Sequence, residues 1–378
     1  MEKHSSIFIA GHKGLVGSAI YRALQEKGFV NIITRSINEL DLTDQKATND
    51  FFSTFRPEYV FLAAAKVGGI AAINTFRADF MFNNLEIQNN VIYSSWKFGV
   101  KKLLFLGSTC IYPKNAKQPL SEFSLLSSEL ERTNEPYALA KISGIKLCES
   151  FNIQYNTNFI SVMPTNLYGP NDNYDLDNSH VLPALIRKFH LCKCIEDKNW
   201  SGIEKDIKRY PLPGISGEFN MDAIINYLIG KGITVSENKD GNLKNEVEIS
   251  VWGTGAALRE FMYVDDLAAA CVFVMERIEI NNLTDAHRDK IRDKNINPPH
   301  FLNIGTEEEI SIKDLAIKIK QLTGFQGRIN FDTSKPDGTP RKTTDSSLLH
   351  SLGFKHKTNL DTGLKLTYDD YLLYKSRQ

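Results

Sequence analysis

The chain has 378 residues and carries 45 basic and 45 acidic side chains, a balance that argues against a general binder of nucleic acid or anionic membranes. Its five cysteines lack zinc or disulfide spacing, which favours a reducing compartment and no bound metal. We see no signal-peptide pattern and no apolar run of the roughly 20 residues that a bilayer span needs. We therefore expect a cytoplasmic protein of up to two domains.

The first predicted elements are a strand, a glycine loop and a helix. Residues 6–10 form a short apolar strand, and residues 18–27 have a helical pattern. The loop between them has the spacing G-x-x-G-x-x-G rather than G-x-G-x-x-G. Glycines in this context allow close backbone approach to a dinucleotide, and the helix N-terminus holds its pyrophosphate. The predicted cofactor loop consists of Gly11, His12, Lys13, Gly14, Leu15, Val16 and Gly17.

The end of the second predicted strand, residues 31–34, indicates which dinucleotide binds. A site that prefers NAD usually places an acid here for the ribose 2′-hydroxyl. This chain has Arg35 instead, and Lys13 lies in the glycine loop. Two cations suit a 2′-phosphate, so the sequence favours NADP(H).

Strands and helices continue to alternate through the first half of the chain. This alternation predicts an α/β fold, a Rossmann-type doubly wound parallel sheet, with ligands at the carboxyl ends of its strands. Ser108 and Pro164 each follow a strand at that edge. The further predicted strands are residues 59–65, 102–107 and 159–163, and a long helix is predicted over residues 80–98.

A tyrosine and a lysine share one face of the next predicted helix. Tyr137 and Lys141 are four residues apart, which makes them neighbours on a helix surface. A phenol titrates near pH 10, and a nearby ammonium favours its ionised form. The pair could therefore serve acid–base chemistry, although Y-x-x-x-K alone is a weak signal.

Glycine loop, Ser108 and the Tyr137–Lys141 pair together resemble the extended short-chain dehydrogenase/reductase superfamily. Within it, several segments resemble the GDP-L-fucose synthase family, and the resemblance covers residues 6–190, 248–278 and 300–375. The segments are 8–12, 63–70, 107–114, 133–138, 161–170, 178–181, 259–261 and 334–342.

Two stretches depart from the shorter family members. Residues of about 193–247 and 281–299 carry no catalytic motif, and we expect both to be surface excursions rather than partner sites. Ile37 occupies a position where shorter members carry a basic residue. Which cations contact the 2′-phosphate therefore stays open, with Arg35 and Lys13 as substitutes.

The resemblance implies a two-stage reaction. GDP-4-keto-6-deoxy-D-mannose would be inverted at C3 and C5, and hydride transfer from NADPH to C4 would then give GDP-L-fucose. Ser108 and Tyr137 would hold the C4 oxygen, and Lys141 would bind the nicotinamide ribose and lower the pKa of Tyr137. Cys110 would be the base that removes a proton from carbon, and His180 the acid that returns one. We expect Ser108 and Cys110 to point the same way because their segment should be extended.

The resemblance also implies binding residues along the loops that follow the strands and in a second domain. Arginines and a lysine suit a pyrophosphate, and a tryptophan offers an aromatic face to guanine or sugar. The further cofactor contacts are Asp41, Leu42, Ala64, Leu106, Gly107, Lys141, Pro164, Thr165, Asn166, Leu167 and His180. The substrate contacts are Ser108, Cys110, Tyr137, Asn166, His180, Val181, Arg187, Trp252, Arg259, Asp337 and Lys342.

We predict two interleaved domains. Residues 1–175, completed by about 263–305, would form the NADP-binding Rossmann domain. Residues 176–262 and 306–378 would form a smaller α+β domain for the GDP-sugar. The family implies a homodimer, formed through a bundle of the long helices at 80–98 and 138–154.

Alternatives to this function stay open. A simple reductase of another GDP-4-keto-sugar would not need Cys110 and His180, whereas a GDP-colitose synthase would keep both. A sensor that binds NADP without catalysis, from a different functional class, would typically lose Tyr137 or Lys141.

Overall fold

The structure is a computed structural model that describes residues 1–215, 220–237, 243–291, 297–335 and 337–373. Short 3-10 turns span Thr109–Ile111 and Glu122–Ser124. The strands are β1 (Ile7–Ala10), β2 (Ile32–Thr34), β3 (Tyr59–Leu62), β4 (Lys102–Leu106), β5 (Phe159–Pro164), β6 (Asn166–Tyr168), β7 (Ile233–Glu237), β8 (Leu243–Trp252), β9 (Leu258–Tyr263), β10 (Phe301–Ile304), β11 (Glu309–Ser311), β12 (Arg328–Asp332) and β13 (Arg341–Lys342). The helices are α1 (Leu15–Glu26), α2 (Gln45–Phe55), α3 (Ile70–Thr75), α4 (Arg77–Lys97), α5 (Glu135–Tyr155), α6 (Val181–Glu196), α7 (Trp200–Arg209), α8 (Met221–Gly230), α9 (Val264–Arg277), α10 (Ile280–Arg288), α11 (Ile312–Thr323), α12 (Ser347–Ser351) and α13 (Leu360–Leu373).

The chain divides into two compact units. The first unit comprises Met1–Asp172, Glu260–Glu308 and Lys342–Gly363. The second unit comprises Asn173–Arg259, Glu309–Arg341 and Leu364–Gln378.

One part of the predicted division is wrong, because residues 342–363 belong to the first unit and not to the second. Backbone hydrogen bonds tie their beginning to the first unit. The Leu120 amide donates to the Thr343 carbonyl at 2.7 Å, and the Asp345 amide donates to the Leu120 carbonyl at 2.9 Å.

The first unit is built on a six-stranded sheet in the order β10-β5-β4-β3-β1-β2, and all its pairings are parallel. Strands β1, β4, β5 and β10 are buried throughout, as expected when helices cover both faces of a parallel sheet. Helices α1 and α9 pack on one face, and α2, α4 and α5 pack on the other. The predicted fold class, a Rossmann-type doubly wound sheet, is confirmed.

The second unit contains the three-stranded sheet β12-β8-β7. Strand β8 pairs in parallel with β12 and antiparallel with β7. The segment 193–247, predicted to be a surface excursion, contributes α7, α8 and β7 to this unit. Ile203, Ile224 and Leu228 in its helices are buried. The prediction for this segment is therefore wrong, because the segment forms part of the core of the second unit.

Three further features concern compartment and metals. Among the described residues, none of the helices is both long and apolar enough to cross a bilayer. All five cysteines are free thiols. Within the same described ranges, no group of three or more His, Cys, Asp or Glu side chains is placed to hold a metal ion.

Candidate active site

The glycine loop after β1 forms a tight turn that excludes side chains. Gly11 has a φ of +86°, and a Cβ there would lie 2.7 Å from the backbone nitrogen of Ala64. A Cβ on Gly17 would lie 2.1 Å from the Gly11 carbonyl oxygen. Gly14 precedes α1 with no side-chain cap on the helix. The helix N-terminus therefore presents backbone amides, which suits a pyrophosphate.

Arg35, at the end of β2, packs on aromatic rings. Its guanidinium lies 4.6 Å from the ring centre of Phe55, and its Nη1 donates to the Thr34 carbonyl at 2.7 Å. Burial lowers the pKa of His12, and the charge of Lys13 lowers it further. A lowered pKa keeps His12 neutral, so Arg35 and Lys13 are the cations at the position predicted for a 2′-phosphate.

Sequence reasoning missed an acid near these cations. The Glu39 carboxylate accepts from the Ser36 amide at 2.6 Å and from the Ser36 hydroxyl at 2.7 Å. These bonds lower the pKa of Glu39, and Arg35 and Lys13 add smaller effects in the same direction. The S-x-x-E spacing was the available signal, because it is typical of a capping box.

Ser108 and Cys110 follow β4 in a 3-10 turn. The expectation of an extended segment is wrong, because residues 109–111 are helical. The Cys110 amide donates to the Ser108 hydroxyl oxygen at 3.3 Å, which keeps the two residues together. Burial raises the pKa of the Cys110 thiol, whereas Lys342, the Ser108 hydroxyl and Lys141 act in the opposite direction. The thiolate therefore depends on these neighbouring groups.

Tyr137 and Lys141 occupy the first turns of α5, as predicted. Lys141 is 3% exposed, and its ammonium donates to the Leu106 carbonyl at 2.7 Å and lies 5.8 Å from the ring centre of Tyr137. Burial lowers the pKa of Lys141 to about 8. Burial also raises the pKa of Tyr137, and the nearby Cys110 raises it further. The prediction that Lys141 lowers the pKa of Tyr137 is therefore wrong for the protein without a bound cofactor.

The loop after β5 is fixed by Glu260 on β9. The Glu260 backbone carbonyl accepts from the Asn166 side-chain amide at 2.8 Å and from the Thr165 hydroxyl at 3.3 Å. Its fully buried carboxylate accepts from the backbone amides of Thr306, at 2.5 Å, and Thr344, at 2.8 Å. Sequence reasoning did not single out Glu260, because an acid between Arg259 and Phe261 carries no local sign of burial.

The other cofactor residues predicted in the first unit lie at the same strand ends. A Cβ on Gly107 would lie 2.4 Å from the sulfur of Met163, so a side chain there would require Met163 to move. Asp41 precedes Asp44, which caps α2 by accepting from the Ala47 amide. Leu42 is buried, and Pro164 and Leu167 lie in β5 and β6.

In the second unit, His180 and Val181 mark the start of α6. His180 is the N-cap residue of this helix and makes no side-chain capping bond. The two residues follow a loop, residues 174–179, near the start of the second unit's first chain segment. Their position on a helix start gives each a defined backbone conformation.

The remaining predicted substrate residues of the second unit differ in exposure and bonding. Trp252 is 67% exposed, so its ring can meet a ligand. Arg259 donates to the Thr339 carbonyl at 2.6 Å, and burial lowers its pKa. Asp337 accepts from the amide of Thr254 at 2.9 Å and from its hydroxyl at 2.8 Å. Asp337 therefore fixes the turn that follows Trp252.

Arg187, on α6, does not have the predicted role. Its side chain is fully buried and pairs with Asp206 of α7, with its Nη2 2.8 Å from the carboxylate. It also donates to the carbonyls of Tyr174, at 3.0 Å, and Tyr210, at 2.6 Å. The prediction of a substrate contact at Arg187 is wrong, because no surface of the residue remains for a ligand.

Lys188 follows Arg187 on α6 and was not among the predicted site residues. Burial lowers its pKa, and the nearby Lys231 and Asp177 also act on it. Its position beside Arg187 in a run of two cations was the available signal. Lys188 is partly buried, whereas Arg187 is fully buried.

Asp206→Asn is expected to destabilise the second unit strongly. The change leaves the Arg187 guanidinium buried without its countercharge, and breaking such a pair costs about 3–5 kcal/mol. We expect a lower urea midpoint for unfolding, followed by circular dichroism. Asp222→Asn, at an exposed position of α8, serves as the control and should shift stability by less than about 0.5 kcal/mol. Equal midpoints for the two variants would show that the pair contributes little.

Comparisons with known proteins agree with this geometry. The model of the NAD dependent epimerase/dehydratase family matches residues 7–205 and 218–284. The chain is 47% identical over 371 residues to GDP-L-fucose synthase 1 of Arabidopsis thaliana, covering 98% of this chain and 94% of that protein. It is 44% identical over 371 residues to GDP-L-fucose synthase of Escherichia coli (strain K12), covering 98% of each.

A solved structure is similar over the whole chain as well. The GDP-mannoheptose C4 reductase from Campylobacter jejuni, with NADP bound, is 40% identical with a TM-score of 0.81, covering 98% of this chain and 99% of that chain. The resemblance seen in the sequence is confirmed by these matches. The chain belongs to the NAD dependent epimerase/dehydratase family, part of the extended short-chain dehydrogenases/reductases, and within it to the GDP-L-fucose synthases.

Proposed function

We propose that the chain converts GDP-4-keto-6-deoxy-D-mannose to GDP-L-fucose, by inversion at C3 and C5 and NADPH-dependent reduction at C4. The observation that carries this proposal is the grouping of Ser108, Cys110, Tyr137 and Lys141 after β4 and at the start of α5. Cys110 is near enough to affect the pKa of both Tyr137 and Lys141. A thiol in that group is surplus to reduction alone, but it suits proton removal from carbon.

The residues of the first unit fit NADP(H). The side-chain-free turn at Gly11 and Gly17 admits a pyrophosphate, Arg35 and Lys13 suit the 2′-phosphate, and Lys141 would hold the nicotinamide ribose. When bound, this cofactor supplies the hydride for C4. The Lys141 ammonium, which donates to the Leu106 carbonyl, would be the group that holds the ribose.

The ketone at C4 makes the hydrogens at C3 and C5 acidic. At C3 and again at C5, the Cys110 thiolate removes the proton from one face of the carbon and His180 delivers a proton to the opposite face. Between the two inversions Cys110 gives up its proton to solvent and His180 takes one from solvent. Ser108 and Tyr137 donate hydrogen bonds to the C4 oxygen while negative charge develops there. Tyr137 finally gives its proton to that oxygen after reduction.

The test of this proposal is turnover by the purified chain. GDP-4-keto-6-deoxy-D-mannose and NADPH are supplied in D2O, NADPH oxidation is followed by absorbance, and the product is analysed by NMR. We expect NADPH consumption and a product that carries deuterium at C3 and C5 and is inverted at both. Absence of NADPH oxidation would overturn the proposal. A 3,6-dideoxy substrate in a parallel assay distinguishes a GDP-colitose synthase.

A second candidate is a C4 reductase of another GDP-4-keto-sugar. The similarity to the Campylobacter jejuni C4 reductase, which is close to that of the GDP-L-fucose synthases in extent and identity, favours it. Such an enzyme would oxidise NADPH without placing deuterium at C3 or C5. The same NMR spectrum therefore separates the two candidates.

We also propose that the chain forms a homodimer through α4 and α5. These helices pack on each other and expose large apolar side chains, which is unusual for a monomer surface. Light scattering coupled to size-exclusion chromatography should give twice the chain mass, and Phe82→Glu should halve it. The exposed side chains are Met81, Phe82, Tyr93, Leu139 and Ile153.

A cytoplasmic location is proposed on the state of the cysteines. All five are free thiols, a pattern that a reducing compartment preserves. Fractionation of the source cells, followed by detection of the chain, tests this location.

A further inference from the structure

The segment 193–247 contacts the loop that leads into His180. Asp177, three residues before His180, accepts a hydrogen bond from the Tyr227 hydroxyl at 2.8 Å. The same carboxylate accepts from the Lys231 ammonium through its other oxygen. Tyr227 belongs to α8, and Lys231 directly follows that helix. Both donors thus come from a part of the chain that has no role in the reaction described above.

The two donors stand on a rigid support. Lys231 lies at the C-cap of α8, whose residues Ile224 and Leu228 are buried. Gly232, the next residue, accepts from the Ser250 amide of β8 at 2.6 Å. Strand β7 then begins at Ile233 and pairs with β8. The position of the Lys231 ammonium is therefore set by the sheet of the second unit and by the core under α8.

The loop itself transmits this position to the start of α6. The Asp175 carboxylate accepts from the amides of Asp177, at 2.9 Å, and Asn178, at 2.8 Å, and its carbonyl accepts from the Ser179 amide at 3.0 Å. The His180 carbonyl accepts from the Ala184 amide at 3.0 Å, which begins α6. A shift of Asp177 would thus move a compact, hydrogen-bonded turn that ends at His180.

We propose that Tyr227 and Lys231 are positioning residues for His180, acting through Asp177. The inference rests on the proposed function, in which His180 returns a proton to the sugar carbon. A proton donor must be held close to its target, and a misplacement of about 1 Å can cost about a hundredfold in rate. The segment 193–247 accordingly serves the reaction without touching the reacting atoms.

The effect of the Lys231 charge can be separated from the effect of the hydrogen bonds to Asp177. Lys231 and Lys188 are cations beside Asp177, so a loss of Lys231 could also weaken the attraction of an anionic substrate. Tyr227→Phe removes one hydrogen bond and no charge. An effect common to Tyr227→Phe and Lys231→Met is therefore an effect on the loop.

Hydrogen exchange tests the holding of the loop independently of substrate. In the double variant Tyr227→Phe/Lys231→Met, the amides of residues 176–180 should exchange at least about tenfold faster than in the unmodified chain. Amides of β7 and β8 should keep their rates, since their pairing is untouched. Unchanged exchange over residues 176–180 would overturn the inference, whatever the protein catalyses.

Kinetics and product analysis test the effect on His180. Each single variant should lower kcat about tenfold, with KM for NADPH within about twofold, because the glycine loop, Arg35 and Lys141 lie in the other unit. The fraction of product inverted at both C3 and C5 should fall, a change that a loss of folded protein alone would not produce. Lys231→Arg keeps the ion pair and should restore both readouts. Lys208→Met, in the exposed pair with Glu204 of α7, should behave as the unmodified chain.

The outcomes separate this inference from the proposed function. An unmodified chain that makes no inverted product would overturn the proposed function and the assigned role of His180 with it. Active unmodified enzyme together with unchanged kcat and product in Tyr227→Phe would overturn the inference alone. A rise in KM for the GDP-sugar that occurs in Lys231→Met and not in Tyr227→Phe would also overturn the inference. Such a result would show that Lys231 contacts the substrate.

Discussion

Replacing Cys110 by serine is expected to stop the exchange of the C3 and C5 hydrogens while reduction of the C4 ketone continues. A thiol titrates near pH 8.5 and can act as a base, whereas a serine hydroxyl does not ionise in that range. Removing a general base costs about 10²–10⁴-fold in rate. Deuterium uptake from D2O at C3 and C5, measured by NMR with NADPH withheld, should fall by this factor. With NADPH added, Cys110→Ser should give a reduced GDP-sugar inverted at neither carbon.

The pH dependence of the same exchange gives an independent check. Burial raises the pKa of Cys110, and the thiolate is the active form, so the rate in the unmodified chain should keep rising with pH beyond the ordinary range of a thiol. The control is Cys148→Ser, the same replacement at a fully buried position of α5. It should leave the exchange unchanged. Normal deuterium uptake by Cys110→Ser would assign the base to another residue.

The sheet and the residues at its edge could be predicted because local signals carry them. Strand β4, Lys102–Leu106, lies within the predicted bounds 102–107, since a short apolar run between polar segments identifies a buried strand. The glycine loop is equally readable, because Gly11 and Gly17 are required by contacts inside the loop and with the neighbouring strand. Helical spacing makes Tyr137 and Lys141 neighbours, and the glycine loop and Ser108 make them candidates for a site.

The second unit could not be predicted to the same degree, because its core depends on partners distant in sequence. Arg187 has the appearance of an available cation, and only the packing of α7 against α6 brings Asp206 to it. Asp177 and Lys231 are 54 residues apart, and no local pattern joins them. The segment 193–247 is mostly polar, so its few apolar positions do not form a pattern that predicts the burial of α7 and α8.

The electrostatics of the candidate site also lie beyond the sequence. The spacing of Tyr137 and Lys141 predicts a lowered phenol pKa, yet burial acts more strongly on both groups and in opposite senses. Desolvation disfavours the charged form of each residue, so it raises the pKa of the tyrosine and lowers that of the lysine. A helical spacing reports which side chains are neighbours and not how much water surrounds them.

Tyr137→Phe is expected to slow both stages of the reaction, in contrast to Cys110→Ser. The Tyr137 hydroxyl holds the C4 oxygen during enolate formation and later gives it a proton, so one atom group serves both steps. We expect NADPH oxidation to fall about 10²–10⁴-fold, and deuterium uptake at C3 and C5 to fall as well. NADPH affinity, measured by fluorescence titration, should stay within about twofold because the glycine loop and Lys141 are intact.

Tyr155→Phe is the matched control for this change, because Tyr155 ends the same helix and its hydroxyl contacts only the exposed side chain of Gln154 among the bonds described for it. Its rates should equal those of the unmodified chain. If Tyr137→Phe takes up deuterium at the normal rate but does not oxidise NADPH, the tyrosine serves the reduction alone. Ser108 would then be the donor that stabilises the enolate, and Ser108→Ala should lose the exchange that Tyr137→Phe retains.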